Sequence, residues 1–377
     1  MVCEKCFVDK TISEYILEYG TNIKTCELCG SANVNALSCE DIKMQNLFKA
    51  TIRYNFDEWE YNSHWGGDSI GFIVGSSDLI FSENAKSNLE TLEDTILTLV
   101  DNVYEDYDKG ISIHAGYTDG DQNTLLDAIK EGNSNRISLI KILAKKLNYY
   151  KIEKNARKIV ENLASHIDNV IQFSQPLYRA RIGYTDKRFA NNSFRRVPYY
   201  IPYQSNSICA PPPTVAQKGR MNRENVSFLY LASDEKTAIA EIRPHPGQIV
   251  SIGQFVSDKD IRIADFASAN IVSFFMNDKL LDIFEDIVSI NLMFSTPVPP
   301  NSQHQYIVTQ LLSDLIRSMG FDGVSYRSSV SDGTNYAFFD PSLFSYVDGS
   351  ANAVYINKVD CFYTQAGVYR KSDEEDY

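Results

Sequence analysis

Leu229-Tyr230-Leu231-Ala232-Ser233-Asp234-Glu235-Lys236-Thr237-Ala238-Ile239-Ala240-Glu241 is the stretch from which the fold class follows. Phe228 to Leu231 form a short apolar run bounded by polar turn residues, the composition of a strand. Ser233-Asp234-Glu235 then supplies an N-cap and an acidic first turn. That predicts a helix ending near Ile242, before Arg243-Pro244. Ile249 to Val256 reads as a further strand. Tyr306 to Met319 carries a helical pattern that stops at Gly320, a natural left-handed cap, and Val324-Ser325-Tyr326 restarts a strand. The zone entered through Ser174-Gln175-Pro176 is therefore α+β.

Toward the N-terminus the pattern changes. From about Asp41 to His166 apolar residues recur at helical spacing. Leu89, Leu92, Ile96, Leu97 and Val100 follow one stripe, Ile137, Leu139, Ile140, Leu143 and Leu147 another, and the run from Ile152 to Ile171 continues the pattern. Gly116 to Gly120 reads as a loop between helices. Before this zone, Met1 to Glu40 holds five of the seven cysteines. Cys3-x2-Cys6 and Cys26-x2-Cys29, nineteen residues apart, have the spacing of a four-thiolate zinc ribbon. Two such turns set four sulfurs tetrahedrally around one Zn²⁺, and Gly30 relieves crowding after the second pair. Four thiolates close the shell and leave no open position for catalysis, so the metal is expected to be structural. A zone with few large apolar residues needs such a staple. Cys39 reads as a buried or spare thiol, with a substitute ligand as the alternative. Lys5, Lys10 and Lys24 stand against Glu4, Asp9, Glu14, Glu18, Glu27 and Glu40, which argues for scaffolding or a protein contact and against nucleic acid.

Over its 377 residues the chain carries a net charge of −13, which disfavours a general grip on nucleic acid. The basic stretch from Lys145-Lys146 to Lys158 reads as a solvated helix face. No run approaches the length of a membrane span, and no basic start leads into an apolar signal core, so a cytoplasmic, membrane-free protein is expected. The odd cysteine count with a metal-type pattern fits a reducing compartment. There is no G-x-G-x-x-G after a strand and no P-loop, which argues against dehydrogenase and NTPase chemistry. The expected division is 1–40 zinc ribbon, 41–166 helical domain and 167–377 α+β domain.

Several blocks then give a specific likeness: Leu177-Tyr178-Arg179-Ala180-Arg181, Gly219-Arg220-Met221-Asn222, Leu229-Tyr230-Leu231-Ala232 with Thr237-Ala238-Ile239-Ala240-Glu241, and Phe321 to Ser329. Tyr306-x3-Gln310 lies between the last two, and Gly333-x-Asn335-Tyr336 and Phe338-Phe339-Asp340 follow. From about Leu177 to Asp340 the chain thus resembles the RES domain family. The resemblance implies a compact α+β fold related to ADP-ribosyltransferases, acting on NAD⁺ as a hydrolase or phosphorylase. Many relatives are toxins of bacterial toxin–antitoxin pairs. The first zones resemble a helical region of the HEPN type, with a zinc ribbon in front, that is found fused to RES domains. An HEPN ribonuclease needs Arg followed four to six residues later by His. Arg157 and His166 are too far apart, as are Arg53 and His64, so a regulatory domain without nuclease chemistry is expected. His64, His114 and His166 read as ordinary structural residues. Met221 stands where many RES sequences carry Trp.

Cleaving the nicotinamide–ribose bond passes through an oxocarbenium-like state. A site for it must hold a pyrophosphate, clamp a ribose and offer negative charge near the developing cation. Arg220 and Arg179 are the candidates for the pyrophosphate, because a guanidinium fork binds phosphate oxygens in pairs. Arg181 is their neighbour, with an ion pair as its plainer role. Glu241, set among Ala238, Ile239, Ala240 and Ile242, suits the ribose and the cation, since a carboxylate is costly to bury without a task. Tyr230 shares strand parity with Phe228 and Ala232, so its ring can flank the nicotinamide or serve simply as core. Ser328 is the hydrogen-bonding candidate at its strand end, with Ser329 and Ser325 as neighbouring alternatives. The loop from Thr185 to Pro213, with Arg188, Arg195 and Arg196, is a lid or a partner contact. The expected function is NAD⁺ cleavage by a glycohydrolase or phosphorylase, as a bacterial toxin or antiviral defence effector that arrests growth. The expected partner is an inhibitory protein or a second copy met through the N-terminal zones. An ADP-ribosyltransferase acting on a macromolecule and a non-catalytic NAD⁺-responsive scaffold are the alternatives, separated by NAD⁺ loss and product identity. Every RES-like block lies after Ile167, so the catalytic machinery is expected there and regulation or recruitment before it.

Overall fold

A computed structural model describes residues 1–56, 67–100, 135–146, 148–192, 195–270, 273–274, 278–296 and 306–360. The expected loop at Gly116–Gly120, along with His64, His114 and Leu147, lies outside the described residues.

The N-terminal part begins with β1 (Val2–Cys3), α1 (Lys10–Tyr19), β2 (Thr21–Thr25) and β3 (Ala32–Leu37), whose strands form an antiparallel sheet in the order β1-β3-β2. Asp9 starts α1 by accepting the Ile12 N–H at 2.9 Å, and Asp41 starts α2 (Ile42–Asn55) by accepting that of Met44 at 2.8 Å. Then come α3 (Ile70–Ser76), α4 (Glu83–Lys86) and α5 (Leu89–Val100). One continuous apolar core runs through these elements from Val2 to Val100 and takes in Leu281 from far along the chain. In α5 the buried line is Leu92, Ile96, Leu99 and Val100, whereas Leu89 and Leu97 are exposed. Leu97 follows Ile96 by one residue and is turned about 100° off that line.

Next, α6 (Asn135–Lys145) and α7 (Tyr149–Leu163) pack as neighbours. Ile137 and Ile140 are buried and Leu139 is exposed. The pattern expected to continue to Ile171 breaks after Leu163. Asp168–Ile171 is instead a strand, β4, because its backbone pairs with Ile261–Ala264. The following elements are β5 (Leu177–Ile182), β6 (Asp186–Asn192), β7 (Arg195–Ile201), β8 (Leu229–Ala232), α8 (Glu235–Glu241), β9 (Ile249–Val256) and β10 (Ile261–Asp265). The longest described helix, α9 (Asp278–Ser295), comes next. It is followed by α10 (Tyr306–Ser318), β11 (Gly323–Arg327), β12 (Thr334–Phe338), β13 (Ser345–Tyr346) and β14 (Asn352–Tyr355).

Nine of these strands form one sheet in the order β13-β9-β5-β8-β12-β11-β10-β4, with β14 also on β9. The architecture is α+β, and only β10 and β11 run parallel among its described pairs. Alternation divides the sheet's side chains. Ala264, Val324, Tyr326 and Ala337 face a core made with α6, α7, α9 and α10, while Ile263, Leu229, Leu231, Leu177 and Phe338 belong to a second core on the other face. Within the sheet β5 and β9 share six register pairs, but β5 and β8 share only one, Tyr178 opposite Ala232. The sheet therefore opens at a seam beside β8.

The segment read as the loop Thr185–Pro213 contains a separate hairpin, β6 paired with β7 over seven register pairs. Its strands, Asp186–Asn192 and Arg195–Ile201, lack an apolar–polar alternation, and the sequence there holds no Gly-containing turn dipeptide, so the usual hairpin signal is missing. Among the described residues no helix is long and apolar enough to cross a membrane.

Candidate active site

Arg179 stands on β5 at the seam. Its Nη1 donates to the Tyr230 carbonyl at 2.8 Å, its Nε is buried without any hydrogen-bond acceptor, and burial pulls its basicity down, with Arg181 adding to the effect. No carboxylate among the described residues pairs with it. Arg181 is exposed; it donates to the Ser207 carbonyl and lies over the Tyr203 ring, 4.9 Å from its centroid, and among the described residues it forms no ion pair, the plainer role expected for it.

Arg220 is carried by a turn that α10 holds in place. Gln310 Nε2 donates to the carbonyls of Gly219 and Asn222 at 2.9 and 3.0 Å, and Thr309 Oγ1 donates to the Arg220 carbonyl. Asn222 closes the turn from inside: its Nδ2 reaches the carbonyls of Gln217, Arg223 and Val226, and its Oδ1 accepts the Tyr230 phenol at 2.8 Å. A Cβ on Gly219 would lie 2.4 Å from Asn222 Oδ1 and 3.2 Å from Tyr230 Oη, so glycine is required where the turn crosses these groups. The Arg220 side chain donates through Nη1 to the Phe294 carbonyl at the end of α9 and pairs with no carboxylate among the described residues. Met221 is buried in the core with Phe228 and lines none of the described cavities.

Glu241 ends α8, whose first turn is fixed by Asp234, rather than Ser233, accepting from Thr237 N at 2.8 Å. Ser328 Oγ, just past β11, and Asn335 Nδ2, on β12, both donate to Glu241 Oε1 at 2.6 Å. Oε2 has no partner among the described residues. Ser325 points elsewhere: it is buried and donates to Asp265 Oδ1 at 2.6 Å, while Ser329 is exposed. Of the three serines, the geometry thus joins Ser328 to Glu241.

Tyr326 links the halves. It pairs across the strands with Asn335 and is buried, which raises its phenol pKa; the nearby Arg220 opposes that rise, and Tyr230 and Glu241 add to it. Tyr230 is itself pushed up to about 12 by burial, against the pull of Arg220 and Arg179. The five candidates Arg179, Arg220, Tyr230, Glu241 and Ser328 thus form one neighbourhood. Asn335, Tyr326, Asn222 and Gln310 belong to it as well. The sequence blocks contained all four, but nothing in the pattern separated them from ordinary core polar residues.

Residues 187–356 match the RES domain. The matched RES segment starts after Arg179 and extends past β14, so it covers Arg220, Tyr230, Glu241, Ser328 and Asn335. The curated proteins compared yield no match. Among solved structures, the crystal structure of the M. tuberculosis MbcT-MbcA toxin-antitoxin complex aligns over 53% of this chain and 92% of that chain, at 10% identity and a TM-score of 0.29. That score is too low for the likeness to bear on fold or function.

A second cluster lies far from these candidate residues in sequence. The Sγ atoms of Cys3, Cys6, Cys26 and Cys29 all lie within 4.8 Å of one another, with Cys3–Cys6 at 3.6 Å, Cys3–Cys29 at 3.4 Å and Cys6–Cys26 at 3.5 Å. A tetrahedron with metal–sulfur bonds of about 2.3 Å sets sulfurs roughly 3.8 Å apart. The residues present fit a zinc ion, and burial, which raises the Cys6 thiol pKa and takes that of Cys3 up to about 12, is the cost such an ion offsets. Cys39 is buried outside the cluster.

Proposed function

We propose that the seam is an NAD⁺-cleaving site that breaks the nicotinamide–ribose bond. The observation that carries the reading is the paired state of its charges. Glu241 is held by two short hydrogen bonds on one oxygen and offers the other, while two arginines lack a carboxylate partner among the described residues, one with a buried, unsatisfied Nε. An orphaned buried N–H costs about 1–3 kcal/mol and is retained where a ligand supplies the acceptor. In this reading Arg179 and Arg220 take the pyrophosphate, Glu241 holds the ribose hydroxyls and faces the developing oxocarbenium charge, and Tyr230 flanks the nicotinamide. Ser328 and Asn335 fix the carboxylate. The RES match supports this assignment, since the sequence resemblance to that family implies NAD⁺ as substrate.

The test is direct. Purified full-length protein is incubated with NAD⁺, with and without inorganic phosphate, and products are separated and weighed. Free nicotinamide with ADP-ribose marks a glycohydrolase, and ADP-ribose phosphate marks a phosphorylase. Label transferred to added protein or nucleic acid would mark a transferase, and unchanged NAD⁺ would overturn the reading.

The same reading extends to the rest of the chain: residues 1–40 as a structural zinc ribbon held by Cys3, Cys6, Cys26 and Cys29, residues 41–166 as regulatory, and residues 167–377 as the catalytic part. It also takes the protein to be a growth-arresting toxin, silenced in the cytoplasm by a protein partner. Expression without that partner then depletes NAD⁺ and stops growth, and Glu241→Gln relieves both.

A further inference from the structure

A cavity of about 380 Å³ lies where the N-terminal elements meet the α+β part. Asp9 at the start of α1 and Asn55 at the end of α2 form one wall; Phe266, Phe284, Asn291 and Arg327 contribute to the other. None of Arg179, Arg220, Tyr230, Glu241 or Ser328 lines it. The Arg327 guanidinium spends only Nε, on the Ala267 carbonyl at 2.8 Å, and its two terminal nitrogens have no partner among the described residues. The site thus presents a cation on one wall, the α1-capping carboxylate and an amide on the other, and only the edges of two buried phenylalanines between them.

These features select the ligand. The guanidinium suits a phosphate or carboxylate end. The Asp9 carboxylate on the opposite wall, beyond the Ile12 N–H it already accepts, has lone pairs left for the N–H donors of a base. The volume falls in the range of small-molecule sites, roughly 300–1,000 Å³, and exceeds what a bare ion or a single amino acid fills. We propose that this cavity binds a nucleoside monophosphate, with its phosphate on Arg327 and its base N–H groups toward Asp9. Occupancy is felt at the candidate active site. Arg327 immediately precedes Ser328, its N–H donates to Asn291 Oδ1 at 2.9 Å, and its carbonyl accepts from Ser295 at 2.7 Å. A ligand that pulls on Arg327 therefore shifts the strand end that presents Ser328 to Glu241; this consequence, unlike the binding itself, rests on the NAD⁺-cleavage reading.

Guanosine monophosphate is the probe, because guanine offers adjacent N–H donors and is not part of NAD⁺. Titration calorimetry on the full chain should show one site per chain. Arg327→Gln and Asn55→Phe, which act from opposite walls, should each weaken binding at least about tenfold, and Arg327→Lys should restore part of the loss. Arg179→Ala should leave it unchanged. Thermal melting checks that each variant is folded. Absence of binding at millimolar concentration overturns the proposal. So does binding that survives both cavity variants and is lost with Arg179→Ala, which would place the nucleotide at the seam. In the NAD⁺ assay the nucleotide should change the parent's rate and not that of Arg327→Gln. Binding as expected in a protein inert toward NAD⁺ would uphold the cavity and remove the catalytic reading alone.

Discussion

Glu241 Oε1 receives Ser328 and Asn335 from different sides, so the direction of its carboxylate is set by two strands rather than by its own helix. Glu241→Gln keeps the shape but, on the proposed reading, removes the charge facing the oxocarbenium-like state. Turnover should fall on the order of 10²–10³, about 3–4 kcal/mol, with little change in KM. A folded variant that consumes NAD⁺ at the parent rate would show that this carboxylate is not the one at work. Asn335→Leu leaves Glu241 in place with one donor removed, so kcat should drop by a smaller factor, roughly tenfold, with KM little changed. Arg179→Ala should act on KM, because pyrophosphate charge is present in the ground and transition states alike. These residues were legible in unequal measure. Arg179, Arg220, Tyr230, Glu241 and Ser328 are candidates through the motif blocks, which keep Ser325 and Ser329 open beside Ser328. Asn335 and Tyr326 matter through the β11–β12 pairing, a long-range register that no local spacing encodes.

Among the elements, α10 has a second task besides burying its apolar stripe: it grips the turn that carries Arg220. Replacing Gln310 by Leu strands the Gly219 carbonyl and leaves that of Asn222 with the Gly219 N–H alone, which should cost about 1–3 kcal/mol of stability, read from the denaturation midpoint, and raise KM through a displaced Arg220. The end of β10 carries a pH signature. Burial alone would raise the Asp265 pKa, but hydrogen bonds from Ser325, Ser268, Asn169 and the Ala267 N–H outweigh it and hold the group below the usual carboxylate range. With a depressed folded-state pKa, its contribution is full above the unfolded value of about 3.9 and is lost as pH falls through the folded one. Urea midpoints of the parent and Asp265→Asn should therefore converge as the pH is lowered below about 4; a gap that stays constant would contradict this. The helix and strands around Glu241 were readable because cap, acidic turn and apolar run agree locally. β4 was misread because a residue run compatible with helix is claimed by pairing with Ile261–Ala264, and the β6–β7 hairpin because its turn lacks the usual residues.

For the whole molecule, the two apolar cores decide how the chain can be divided. The N-terminal core is continuous from Val2 to Val100, so removing zinc should loosen more than the cysteine segment. Fresh protein should carry about one zinc per chain, and chelation should lower the melting temperature and expose α2 and α5 to hydrogen exchange; elemental analysis without stoichiometric zinc would end that reading. Ile137, Ile140, Ile152 and Leu163 lie in the same core as Leu312, Ile316 and Val324. A chain beginning at Ile167 strips one side of that core and should melt lower than one beginning at Asn135, which keeps α6 and α7. Equal melting of the two would show that these helices are dispensable. The order in which the chain is made adds a temporal consequence. Glu241 meets Ser328 and Asn335 only across 87 and 94 residues of chain. At roughly 5–20 residues per second, translation leaves a delay of about 5–20 s between the making of that carboxylate and the arrival of its last partner. On the proposed reading, the site is therefore completed only once translation has passed Asn335 and its side chain can reach Glu241.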